Sequence, residues 1–273
     1  MNSAHLKIAA IQMVSTTRFD DNLEMAKGLI VEASKQGASL VVLPEYFALM
    51  GFKESDKFEY VERHNSGSVQ SMLKELAKRL NIWIVAGTHP IESDDVKRPY
   101  GRCYVFNNRG EVVTWYDKIH LFDVNVDDQK KNYCESKYSM AGDAVVSFES
   151  PWGKIGLAVC YDLRFPELFR RLLEMDCKIF LLPAAFTFKT GEAHWDLLIK
   201  TRAVENLCYF VASAQGGLHE NGRETWGHSM IVSPWGKVLA ELPSGSGYIV
   251  SDIELQEQSK IRKEFPVLSH KKL

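Results

Sequence analysis

The sequence lacks the marks of several specialised classes. No two cysteines stand at CxxC spacing; the five (Cys103, Cys134, Cys160, Cys177 and Cys208) are odd in number and scattered. Neither a disulfide framework nor a zinc site is therefore indicated, and a reducing, cytoplasmic setting fits. No apolar run is long enough to span a bilayer. The opening Met1-Asn2-Ser3-Ala4-His5-Leu6-Lys7 has no cationic region followed by an apolar core, so no signal peptide is expected. Positive charge is not in excess: 33 Lys and Arg face 35 Asp and Glu, for a net charge of −2. Neither nucleic acid nor a membrane surface is expected as a partner.

What is present is ordinary globular composition, 45% hydrophobic and 25% charged over 273 residues. The run 6–14 reads as a strand. Asp20-Asp21-Asn22 offer N-cap side chains to a helix that Gly37 ends. Residues 39–43 form an apolar strand stopped by Pro44. Strand, helix, strand predicts a parallel pair with a right-handed crossover. A second helix over 66–80, a strand over 82–87 and a hairpin around Asn107-Asn108-Arg109-Gly110 follow. Residues 119–142 show no apolar period, and so long a loop is usually functional or mobile.

The plan then repeats. A strand over 154–159, a helix over 166–175 and a strand over 178–182 stopped by Pro183 come first. A helix over 191–207 and a strand over 208–214 follow. The second half closes on a hairpin of 225–232 with 237–242. The repetition predicts one domain, 1–273, with two pseudo-symmetric halves. Strands apolar on both faces need cover on both sides. The predicted fold class is therefore α/β, a four-layer α-β-β-α sandwich. The tail, 254–273, reads as a surface helix and extended end, or as an arm across a second subunit, because its Phe265-Pro266-Val267-Leu268 needs cover.

Three reactive side chains share one kind of position. Glu45 follows the strand that ends in Leu43-Pro44, Lys118 follows the strand 111–117, and Cys160 ends the strand 154–159. Ligand sites of open α/β sheets lie at carboxyl strand ends. Glutamate can take a thiol proton, an ammonium favours the thiolate and an oxyanion, and a cysteine can form a thioester. Taken singly, Glu45 reads equally as a cap or turn residue, Lys118 as a surface lysine and Cys160 as core. Gly156 and Ala158 share the side of Cys160 at period 2 and are expected to let the facing sheet approach closely. His194 and His228 could suggest a Cys–His hydrolase, but structural histidines are the better reading, with Trp195 as core. A non-catalytic interaction module is a further alternative.

Leu43-Pro44-Glu45, the run 116–123 (YDKIHLFD) and the run 159–167 (VCYDLRFPE) together resemble the nitrilase superfamily of carbon–nitrogen hydrolases, in its order and over nearly the whole chain. The resemblance implies the sandwich fold and a homodimer or larger assembly. It also implies Glu45 as general base, Lys118 as oxyanion stabiliser and Cys160 as nucleophile, with no metal and no cofactor. Glu135, in Cys134-Glu135-Ser136-Lys137, takes the place of an assisting glutamate, and the backbone N–H of Tyr161 that of a second oxyanion donor. Segments such as Gly191-Glu192-Ala193-His194-Trp195 and Gly227-His228-Ser229 resemble the amidase branch. The implied reaction releases acid and ammonia from a small carboxylate-bearing ω-amide. Deaminated glutathione comes first among the implied substrates, and α-ketoglutaramate or α-ketosuccinamate are the alternative. Arg164 could pair with a substrate carboxylate or form an ion pair with Glu167 or Asp162. Phe186 and Thr187 fall where a pocket wall belongs.

Overall fold

A computed structural model describes residues 5–128, 130 and 132–272. Met1–Ala4, on which the signal-peptide expectation partly falls, lie outside the described residues, as do Gln129 and Lys131 of the long loop and Leu273 of the tail.

The first half runs β1 (His5–Gln12), α1 (Phe19–Lys35), β2 (Leu40–Val42), α2 (Ser68–Leu80), β3 (Trp83–Val85), β4 (His89–Ile91), β5 (Tyr100–Phe106) and β6 (Val112–Asp117). A small hairpin, β7 (Asp123–Asn125) and β8 (Asn132–Cys134), leads out of it. The second half runs β9 (Ser147–Ser150), β10 (Gly153–Leu157), α3 (Pro166–Glu174), β11 (Ile179–Ala184), α4 (Phe188–Asn206) and β12 (Tyr209–Ala214). It continues through β13 (Gly216–Leu218), β14 (Glu224–Trp226), β15 (Ser229–Val232), β16 (Val238–Leu242), β17 (Gly247–Glu254) and α5 (Leu255–Glu264).

The two halves carry the same topology. β1, β2 and β3 are parallel, followed by antiparallel β5 and β6; β10, β11 and β12 are parallel, followed by antiparallel β15 and β16. β17 returns to pair antiparallel with β1 along its full length. Alternation explains why these strands read apolar on both faces. Leu6, Ile8 and Ala10 of β1 join the core between the sheets, while Ala9 and Ile11 join the core under α1 and α2. Leu40 and Val42 of β2 divide from Val41 in the same way. Trp83 meets Phe148 and Trp152 across the sheet–sheet interface, and Phe169 of α3 meets Phe180 of β11 on the outer face. The result is the α-β-β-α sandwich.

Several local expectations are corrected. Arg18, not the Asp20-Asp21-Asn22 run, stands at the N-cap of α1. Asp20 and Asp21 lie in the first turn, where carboxylates suit the helix dipole, and buried Asn22 ties Thr16 to Ala48. Pro183 does not stop β11, which runs on to Ala184. The Leu181 carbonyl accepts from Ala158 N–H on the β10 side. Peptide groups alternate sides, so the missing N–H of Pro183 faces that side too, where β10 has already ended. The stretch 225–232 breaks at Gly227-His228, both at positive φ, so β14 pairs with β13 and only β15 with β16. α4 begins at Phe188, capped by Thr187. Gly156 does not face the other sheet: a Cβ there would lie 2.9 Å from Leu172, so its missing side chain admits α3. The tail is not extended, since a 3₁₀ turn over Val267–His270 follows α5. α5 docks on its own chain through Gln258, which donates to the carbonyls of Lys178 and Leu207.

Candidate active site

Each strand-end residue is held by a backbone device of its own. Leu43 N–H still donates to Val85, after which Pro44 turns the chain and Tyr46 adopts φ 56°. Gly87, also at φ 56°, lies so close that a Cβ would sit 2.0 Å from the Pro44 oxygen. Only glycine tolerates that approach and that conformation together. Gln215 Nε2 donates to the Glu45 carbonyl at 3.0 Å.

Lys118 follows β6 directly. Asp117 before it is clamped by both arms of the Arg102 guanidinium, at 2.6 and 2.7 Å, and Gly142 N–H donates to the Lys118 carbonyl at 2.9 Å.

Cys160 follows β10 at φ 49°, an unusual conformation for a residue with a Cβ. Asp162, wholly buried, secures the turn. Its Oδ2 accepts from Val159 N–H at 2.7 Å and from the Tyr116 hydroxyl at 2.7 Å, and its Oδ1 accepts from His120 N–H at 3.1 Å and contacts His120 Nδ1 at 2.6 Å. One carboxylate therefore ties the chain flanking Lys118 to the chain flanking Cys160.

These devices bring the predicted groups together. Lys118 Nζ donates to Glu45 Oε1 at 2.9 Å and to Glu135 at 3.0 and 2.7 Å; the three side chains are at most 9% exposed. Glu135 also accepts from Phe122 N–H at 2.7 Å and from the Tyr46 hydroxyl at 3.3 Å. The Cys160 thiol hydrogen-bonds Glu45, and its sulfur also meets the backbone of Ala185.

Burial raises the Glu45 pKa, Lys118 partly opposes this, and Glu135 adds to it. Burial alone would lower Lys118, but Glu135, Glu45 and Cys160 hold its ammonium well above the usual range. Burial and then Glu45 push the Cys160 thiol well up, against the pull of Lys118. Both shifts favour the neutral thiol beside the Glu45 carboxyl.

Tyr161, Phe186 and Thr187 line the same narrow compartment as Glu45, Lys118, Glu135 and Cys160. Arg164 does not line it. Its guanidinium lies over the rings of Tyr161 and Phe186, 3.3 Å from His194, and it pairs with neither Glu167 nor Asp162. Asp162 is already committed to the turn. His194 is therefore a partner of Arg164, while His228 contacts Glu241, and Trp195 is buried with its Nε1 donating to the His228 carbonyl. Among the described residues no histidine lines the compartment onto which Cys160 opens.

The sequence reading misses Tyr46, Glu54, Tyr133 and Arg223, which line both this compartment and an outer vestibule of about 630 Å³. Tyr46 could have been found as the neighbour of Glu45. Arg223 stands in a polar turn with no periodic signal.

Buried thiol, carboxylate pair and ammonium meet at the strand ends of a four-layer sandwich, a set whose chemistry suits cysteine-type hydrolysis. The carbon–nitrogen hydrolase family model matches residues 7–263, and the chain belongs to that family. The reaction it carries out is hydrolysis of a carbon–nitrogen bond of the amide type. It is 41% identical to a deaminated glutathione amidase of Dictyostelium discoideum, over 98% of this chain and 94% of that one. It is 37% identical to the human omega-amidase NIT2, over 97% and 95%. The solved structure of Saccharomyces cerevisiae Nit3, a member of the nitrilase superfamily, superposes with a TM-score of 0.87 at 27% identity, covering 97% of this chain and 96% of that one.

Proposed function

We propose that the chain is an amidase for small carboxylate-bearing ω-amides, deaminated glutathione foremost, working through Glu45, Lys118 and Cys160. The observation that carries this reading is one buried ammonium bridging two buried carboxylates, the first of which also holds the thiol.

Cys160 Sγ attacks the amide carbonyl carbon while its proton passes to Glu45. The Lys118 ammonium receives the developing oxyanion, joined by the N–H of Tyr161, the second residue of a short 3₁₀ turn whose first amides have no acceptor within the turn. As the carbon–nitrogen bond breaks, Glu45 returns the proton to the leaving nitrogen. Water then attacks the thioester with Glu45 again as base, giving the free acid and the thiol. Glu135 holds the Lys118 ammonium in place.

The leaving group depends on the substrate. α-Ketoglutaramate has a primary amide and releases ammonia; deaminated glutathione has only secondary amides and releases the amine of cysteinylglycine. Both yield 2-oxoglutarate, which gives a common readout. Specificity constants for the two amides, measured side by side, test the reading: the larger value is expected for deaminated glutathione, and no 2-oxoglutarate from either would end it. Lys118→Ala should abolish turnover; full activity in that variant would favour a Cys–His mechanism instead.

The assembly is a homo-oligomer acting on a small molecule in the cytoplasm. Exposed Trp235, Phe265 and Val267 near the tail support the first part, and the scattered, unpaired cysteines the second. Light scattering that gave a monomer would refute the oligomer. Among the described residues no helix is long and apolar enough to cross a membrane.

A further inference from the structure

Arg223 stands in the turn between β13 and β14, which is closed by His219 N–H donating to the Arg223 carbonyl at 2.8 Å and Arg223 N–H donating to Asn221 Oδ1 at 2.9 Å. Its guanidinium projects between the rings of Tyr46 and Tyr133, 5.9 and 5.6 Å from their centroids. Arginine carries five N–H donors. Here one nitrogen, Nη2, donates to the Ala185 carbonyl at 2.9 Å, while Nη1 meets only the Met50 sulfur at 3.7 Å, a poor acceptor. Nε is buried with no hydrogen-bond partner among the described residues. The nearby carboxylate of Glu54 is engaged by Lys130, and no described carboxylate closes an ion pair with Arg223.

A buried guanidinium with few acceptors is costly, so it is expected to take a further partner from the cavity that Arg223 lines. That cavity holds Cys160, Glu45 and Lys118 on its inner side and opens to the vestibule on its outer side. The two tyrosine rings hold the fork in one orientation and restrict its contact with water. The charge present selects the ligand. One under-used guanidinium, with Glu54, Glu45 and Glu135 on the same walls, suits a monoanion far better than a phosphate dianion.

We propose that Arg223 is the receptor for the carboxylate at the far end of the substrate's acyl group, bound through the N–H donors of its Nη nitrogens that Ala185 and Met50 leave free. This deepens the amidase reading and rests on it for the identity of the acyl group. The role anticipated for Arg164 passes to a residue 59 positions further along the chain.

The test compares α-ketoglutaramate with pentanamide, which has the same chain length and no carboxylate. In Arg223→Gln the ratio of the two specificity constants should collapse by about 10- to 100-fold relative to wild type, mostly through KM, as expected for loss of a charge-assisted hydrogen-bonded pair. Arg223→Lys, which keeps the charge but not the fork, should fall between, and it serves also if the glutamine variant does not fold. An unchanged ratio would overturn the proposal. So would a loss seen with deaminated glutathione but not with α-ketoglutaramate, because the arginine would then read the leaving group. Calorimetric binding of 2-oxoglutarate to Cys160→Ala, with and without Arg223→Gln, reads the contact without turnover. If the wild type hydrolyses neither amide, the substrate assignment falls, and 2-oxoglutarate binding alone then decides the case for Arg223.

Discussion

Asp162→Asn is the most informative single perturbation outside the reacting groups. The side chain keeps its size, but one acceptor oxygen becomes a donor. Placed at the Oδ2 position, the new NH2 confronts Val159 N–H; placed at Oδ1, it confronts His120 N–H. The Tyr116 hydroxyl can rotate to accept, and the His120 ring is 27% exposed and can turn to water, so those two contacts adapt. One backbone N–H is therefore left against a donor in either orientation. A buried unsatisfied group costs about 1–3 kcal/mol. For a chain of this size, each kcal/mol lowers the melting temperature by about 2–4 °C, so a fall of roughly 2–12 °C is expected. Activity should fall further than stability alone requires. Val159 precedes the nucleophile and His120 lies two residues beyond Lys118, so loosening their shared anchor lets the thiol and the ammonium drift apart. A misplacement near 1 Å costs about 10² in rate. Thermal melts and kcat/KM on the better amide, measured well below the melting temperature, provide the check. A variant with an unchanged melting temperature and kcat/KM within twofold of wild type would refute the claim that Asp162 couples the two strand ends.

Glu45→Gln should lose about 10²–10⁴ in rate, the usual contribution of a general base. At neutral pH it should melt at or above the wild-type temperature. The pKa of Glu45 is raised in the fold, so the folded state holds this proton more tightly than the unfolded chain. Stability from this group is complete below the ordinary carboxylate value and lost as pH rises through the folded one, which leaves an ionised, buried Glu45 as a cost that the amide removes. A clear drop in melting temperature would contradict this. The same raised pKa places the acid limb of the kcat/KM profile above the ordinary carboxylate range. Glu135→Gln removes a neighbouring negative charge that helps raise it, so the limb should move to lower pH; a shift to higher pH would reverse the assigned electrostatics. Gly87→Ala should both destabilise the protein and slow it, since the added carbon would sit 2.0 Å from the Pro44 carbonyl that positions Glu45; wild-type melting and turnover in this variant would show that the approach is not needed.

Much of this architecture is legible in the sequence because it is written in periodicity. The order strand, helix, strand, helix, strand, hairpin appears twice, and both sheets follow it. What escapes is structure whose cause lies elsewhere in the chain. β7 and β8 are three residues each and mostly polar, and in them only Tyr133 is buried, so no alternation betrays them. β17 has a mixed burial pattern and owes its place to β1, more than 200 residues earlier in the chain. Gly156 reads as small, but only the position of Leu172 reveals which neighbour needs the space.

The same division separates the proposed reacting groups from the proposed recognition group. Glu45, Lys118 and Cys160 are each fixed by the end of a strand, a local event, and their convergence follows once the two halves repeat one topology. Arg223 acquires its meaning from Tyr46, Tyr133 and Ala185, which reach it from three other segments of the chain. A polar turn containing an arginine carries no local sign of that enclosure. On the proposed mechanism, substitutions at the strand ends should therefore act mainly on kcat, because they change the groups that act at the reacting centre. Substitutions in the loops that form the vestibule should act mainly on KM and on the choice between amides. Divergence of substrate preference among chains with this fold then needs changes only in segments such as 123–128 and 220–224, which can vary without disturbing the sandwich that holds the thiol, the ammonium and the carboxylates in register.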